Sequence, residues 1–268
     1  MTPRSPPDGR RRDRPAPDPG RGVSDFVGFV LVFSLVVSVV AVVSVAGFSS
    51  LESARDAERT NNAERAMEVL RDNMADVTDR GAPSRATEVS LDEASLRLGD
   101  RTQIEVRDPN NGKTFLETTT FGVRPIIYDD GDTELVYVMG AVFRDDPRGG
   151  TVVEPWRPVL DEERTVIPLV ETTSASGDVQ SLQSDTVLVR ASLNRRVTHV
   201  DRENYNEADI WINVTSPRTE LWERMLSDDP KISCPSPAAG ANEVQCHLDY
   251  GPDEVYVVGT RIAVDLKR

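Results

Sequence analysis

The chain has 268 residues, a net charge of −14, 38% hydrophobic residues, two cysteines and two histidines. That apolar content supports a core but not a multi-pass membrane protein, and so few sulfur and imidazole ligands exclude the usual zinc, haem and iron–sulfur sites, which need three or four of them. An acidic surface repels phosphate backbones, so nucleic acid is not an expected partner.

The charge is unevenly placed. Residues 1–24 hold Arg4, Arg10, Arg11, Arg12, Arg14 and Arg21 against Asp8, Asp13 and Asp18, while the rest of the chain carries the whole acidic excess. Residues 1–22 read as a basic, proline-rich, disordered leader. The arginine run is followed by Pro15-Ala16-Pro17 rather than by the apolar pair of a twin-arginine signal.

Phe26 to Leu51 contains no charged residue. Its 23 residues from Phe26 to Phe48 span roughly 35 Å as a helix, enough for a bilayer core. The valines would suit a strand in water, but in hydrocarbon a lone strand leaves its backbone groups unpaired, so helix is expected. Ser34, Ser38 and Ser44 fit such a helix because a hydroxyl bonds back to a carbonyl one turn earlier. Residues 23–51 thus read as a transmembrane helix. The basic arm places the N-terminus in the cytoplasm and the acidic body outside. The apolar core is longer than that of a cleaved secretory signal. Two readings remain, an uncleaved signal anchor and a processed helix.

The junction Arg21-Gly22-Val23-Ser24-Asp25-Phe26-Val27-Gly28-Phe29-Val30-Leu31 resembles that of the archaeal type IV pilin-like proteins, including archaellins and adhesion pilins. Asp25 and Phe26 stand where that family carries a Pro-Val pair. The resemblance implies that a prepilin peptidase cuts between Gly22 and Val23, leaving the helix on the mature chain. It also implies assembly with other pilin-like subunits by helix packing. Asp25 would then face the new α-amino group of its own or a neighbouring chain.

Beyond the apolar run, Ala63, Met67, Leu70, Met74 and Val77 recur at spacings of 4, 3, 4 and 3. That is one apolar seam on a helix, with charged residues over the remaining faces. Gly81-Ala82-Pro83 is expected to stop it. Residues 52–82 therefore read as an amphipathic stalk.

Residues 84–268 read as a β-rich head. Strands are expected at Ser95–Leu98, Ile104–Val106, Ile126–Tyr128, Leu135–Phe143, Val166–Val170, Thr186–Ala191, Arg196–Val200, Ile210–Thr215 and Glu254–Leu266. Hairpin turns are expected at Pro109-Asn110-Asn111-Gly112 and Asp129-Asp130-Gly131-Asp132; the spacing in 108–112 fails the calcium-loop template. One short helix is expected at Pro217–Leu226, capped by Ser216 and led by Pro217. Strands separated by turns indicate an antiparallel sandwich or a partly open barrel, of which the sandwich-like form is expected. The stretches GAVFRDDPRGG around Gly140 and VTSPRTELWERML around Trp222 resemble a family of haloarchaeal pilin-like membrane proteins with no activity attached to it, which implies a salt-loving source. The acidic composition agrees, since self-repulsion is screened to within about 3 Å at 1 M salt. So does the basic set, in which only Lys113, Lys231 and Lys267 are lysine.

Cys234 and Cys246 flank a Pro/Gly-rich loop and read as a disulfide in an extracellular head, with two free thiols as the alternative. His247 beside Cys246 is not expected to make a metal site with one other histidine in the chain. Asn213-Val214-Thr215 is the only N-glycosylation sequon. If Ile210, Ile212 and Val214 face the core, Asn213 lies on the opposite, exposed face. No catalytic motif is present, and neither enzyme activity, a metal nor a cofactor is expected. The sequence reads as α+β. Its first expected function is a minor pilin or pseudopilin subunit of a surface filament. Its second is an uncleaved, single-pass, membrane-anchored extracellular binding protein.

Overall fold

The computed structural model describes residues 21–108, 113–117, 122–177, 181–183, 185–201, 210–235 and 242–268. The chain divides into two units, 1–56 and 57–268, with the boundary inside the first helix. That helix, α1, runs Arg21–Thr78. In the first unit its apolar residues from Phe26 to Leu51 all face solvent. In the second unit Ala63, Met67, Leu70, Met74 and Val77 are at most 3% exposed, so the seam is buried in the head. Gly81, at a positive φ of 74°, turns the chain out of the helix.

The first strands are β1 (Ser84–Ser90), β2 (Ser95–Leu98), β3 (Gln103–Asp108), β4 (Lys113–Glu117) and β5 (Ile126–Asp129). Next come β6 (Glu134–Val138), β7 (Ala141–Asp146), β8 (Gly149–Glu154), β9 (Arg164–Ser174) and β10 (Ser181–Leu182). The chain continues through β11 (Thr186–Asp201), β12 (Trp211–Thr215), helix α2 (Thr219–Ser227), β13 (Ile232–Ser233), β14 (Glu243–Leu248) and β15 (Glu254–Lys267). They form three sheets, with orders β1-β11-β15-β9, β10-β2-β5-β6-β7-β8 and β13-β14-β12-β3-β4. Among the described strands pairing is antiparallel except for the long parallel contact of β15 with β9.

Two cores lie on opposite faces of the six-stranded sheet. Ile126, Tyr128, Leu135, Tyr137 and Val142 point into one core, with the α1 seam and the four-stranded sheet. Ile127, Val136, Val138 and Phe143 point into the other, with α2 and the five-stranded sheet. This explains the near-continuous apolar run of β5 and β6, since a strand buried on both faces has no polar alternation to keep.

Several local expectations change. Leu135–Phe143 is two strands, not one. They are joined by a two-residue turn at Met139-Gly140, both at positive φ (52° and 85°), as a type I′ hairpin requires. Thr186–Ala191 and Arg196–Val200 are a single strand with an irregularity between Leu193 and Arg195. The short helix begins at Thr219, so Pro217 precedes it rather than leading it. Ser216 Oγ accepts from the Arg218 N–H at 3.2 Å, just ahead of the first turn. The turn expected at 109–112 lies outside the described residues.

Burial pushes the Tyr128 hydroxyl up to about 12, and that of Tyr137 further still above the usual phenol range. Unfolded phenols titrate near ~10. A raised folded-state value keeps its stabilisation below that pH and loses it as pH climbs toward the folded value. The head is therefore expected to lose stability as pH rises above about 10 toward the folded-state values. Tyr137→Phe should move the alkaline midpoint upward in far-UV circular dichroism.

Candidate functional site

The membrane-facing element is the apolar half of α1. Phe26–Phe48 forms uninterrupted helix, with a mean hydropathy of 3.0 over its most apolar stretch and none of it buried. Among the described residues α1 is the one helix long and apolar enough to cross a membrane, and it lies near the N-terminus. This is consistent with a membrane-anchored protein. Phe29 and Phe33, one turn apart, stack with centroids 6.0 Å apart. Gly22 and Val23 fall in the first turn of α1. Residues 1–20 of the expected leader, and the side chain of Asp25, lie outside what the structure describes.

The second element is the seat of the α1 C-terminal half on the head, within residues 57–268. Beside the apolar seam, half-exposed polar groups fix its register. Glu64 accepts from Arg144 at 3.0 Å, and Arg144 also reaches Asp146 at 2.9 Å. Asn73 Nδ2 donates to Thr87 Oγ1 at 2.8 Å. Asp76 bonds Arg80 one turn on and Arg85 at 2.8 Å, and the Arg85 bond holds its carboxyl below the usual range. At the helix end, Arg196 donates to the carbonyls of Val77 and Thr78. Those carbonyls have no helical partner, and a cation there also suits the helix dipole. None of these partners was legible in the sequence, because nothing in the local pattern pairs one with another.

The third element brings together the two stretches that carried the haloarchaeal resemblance. Phe143 meets Trp222 edge-on, with centroids 5.4 Å apart. Leu221 packs on Gly150, where an added Cβ would lie 2.7 Å from a leucine methyl. Arg218 bonds Asp145 at 3.0 Å and also Glu134, which in turn accepts from Arg97 at 2.6 Å. Arg224 donates to the Gly150 carbonyl at 2.6 Å. The cluster clamps α2 onto the β7–β8 hairpin and exposes little chemistry.

The fourth element is the outer face of the five-stranded sheet. On β12, Ile212 and Val214 face the core, as expected, together with Val106, Ile104, Val244 and Cys246 of the neighbouring strands. Cys246 is joined to Cys234, so the expected disulfide forms. The opposite face carries Trp211 between Arg107 and His247, and Asn213 between Glu105 and Gln245. The Trp211 and His247 rings lie 5.1 Å apart. Asn213 lies on the expected face but is only 8% exposed, because a short side chain on a central strand sits below its longer neighbours. A glycan on Asn213 would have to displace them. Among the described residues, Arg107 Nε, Trp211 Nε1 and Asn213 Oδ1 are buried without a hydrogen-bond partner. Such a group left unmade costs about 1–3 kcal/mol. Three on one face of one sheet make this the least satisfied part of the described head.

The apolar helix and this head occur together as a family trait. The chain belongs to a family of unknown function (DUF7289), whose model matches residues 21–265. No curated protein and no solved structure matches it.

Proposed function

We propose that this protein is a pilin-like structural subunit of a salt-loving archaeon, cut before Val23 and assembled through its apolar N-terminal helix into a surface filament. The observation that carries this reading is α1. Its apolar residues from Phe26 to Leu51 find no cover in the chain's own fold, and the same helix goes on to bury a regular seam in the head. Each exposed apolar side chain gains about 1.5–3 kcal/mol from leaving water, so lipid or neighbouring helices must cover them. The family match takes in the helix with the head, which supports a shared role for the two. The head is placed outside the cell and the N-terminus inside. The basic residues ahead of the helix support this orientation, and so does the Cys234–Cys246 disulfide, which persists in an oxidising compartment.

A second reading is an uncleaved, membrane-anchored binding protein, which the unpartnered polar groups around Trp211 favour. The mature N-terminus separates the two. Sequencing the membrane-extracted protein is expected to give a chain that begins at Val23, and Gly22→Trp to leave the leader in place. A wild-type chain that still carries Arg10–Arg12 rejects the pilin reading in favour of the anchor.

A further inference from the structure

We propose that the outer face of the five-stranded sheet, centred on Trp211 and Asn213, is a binding surface for a neutral saccharide. Such a surface would serve the head whether or not the chain assembles into a filament. Two observations point to it independently.

The first is the set of buried, unpartnered atoms. Arg107 Nε and Trp211 Nε1 are donors only, whereas Asn213 Oδ1 is an acceptor only. An anion satisfies the first two and leaves Asn213 unmet. A cation does the reverse. A hydroxyl both donates and accepts, so a ligand with several neighbouring hydroxyls can meet all three. The chain's net charge of −14 further disfavours an anionic ligand.

The second is the aromatic pair. Trp211 and His247, from neighbouring strands, have ring centroids 5.1 Å apart and planes tilted by 36°, on a face that is otherwise polar. Trp222 is fully buried and Trp156 nearly so, whereas Trp211 retains partial exposure. A flat ring flanked by planar hydrogen-bonding side chains suits the C–H face of a pyranose, whose edge hydroxyls then reach the amides of Asn213 and Gln245. The register sets these groups on adjacent positions of three strands. Arg107 is half-buried, and binding would require its side chain to swing aside so that a ligand reaches the atoms beneath.

The test uses the full chain in a zwitterionic detergent without a sugar headgroup, in concentrated salt. Tryptophan emission is titrated with glucose, galactose, mannose, N-acetylglucosamine and short oligomers of each. A saturable change is expected with at least one of them, and it should vanish in Trp211→Phe, which removes the reporter. In Asn213→Ala the half-saturating concentration should rise about tenfold, the cost of one lost hydrogen bond. Arg107→Met, at a more exposed position, should do the same if the asparagine variant fails to fold. No saturable change with any sugar overturns the proposal and leaves the polar atoms to ordered water. So does a change that survives Trp211→Phe. A Trp211→Phe chain that alters only its oligomeric state makes the face a contact between copies, which also overturns it.

Discussion

Trp222→Ala is expected to cost the head about 3–5 kcal/mol, the range for losing a fully buried aromatic from a packed core. Trp222 is 0% exposed and lies edge-on to Phe143. It also holds α2 against the β7–β8 hairpin, where Leu221 already fills the space left by Gly150. Interiors of this density relax only partly around a void, so the cavity adds to the lost transfer energy. For a unit of this size the midpoint of thermal unfolding should fall by about ten degrees or more. Trp222→Phe should lose markedly less, because it keeps a ring against Phe143. Circular dichroism melts in concentrated salt provide the measurement. A midpoint within about two degrees of wild type for the alanine variant would show that the two clamped stretches do not hold this core together.

Leu70→Asp is expected to release the stalk. Leu70 is 1% exposed at the middle of the α1 seam, between Met67 and Met74. An unpaired carboxylate there must be desolvated, forced neutral or expelled, and expulsion takes the helix with it. Val69, the residue just before it, is 53% exposed, so Val69→Asp is the matched control. Trypsin should cut after Arg65 and Arg71 many times faster in Leu70→Asp than in wild type, and at an unchanged rate in Val69→Asp. Equal protection in both variants would mean that the seam is not what seats the helix. The polar ties at Glu64, Asn73 and Arg196 would then have to suffice.

The two substitutions also mark how far the amino-acid order could be read. The seam was legible residue by residue, since a 3.6-residue period declares which side chains share a face before any partner is known. The disulfide was legible as the preferred of two readings, from loop composition and an expected extracellular setting. The Met139-Gly140 hairpin was not. One glycine inside an apolar run gives little turn signal, and the run is apolar because its sheet is covered on both faces. The two stretches around Gly140 and Trp222 stood out in the sequence, yet nothing in their order says that they meet. Asn213 was placed on the correct face, but its burial depends on Glu105 and Gln245, which come from the two strands on either side of β12.

The chain order alone decides the apolar helix, its continuation as a seam, and the β-rich character of residues 84–268. These depend on hydrophobicity and period along one strand of polypeptide. The three sheets, the parallel contact of β9 with β15, the Arg196 cap on α1 and the polar face around Trp211 are decided only in three dimensions. Each is made by residues that become neighbours when distant strands pair, and pairing between distant strands leaves no local pattern to read.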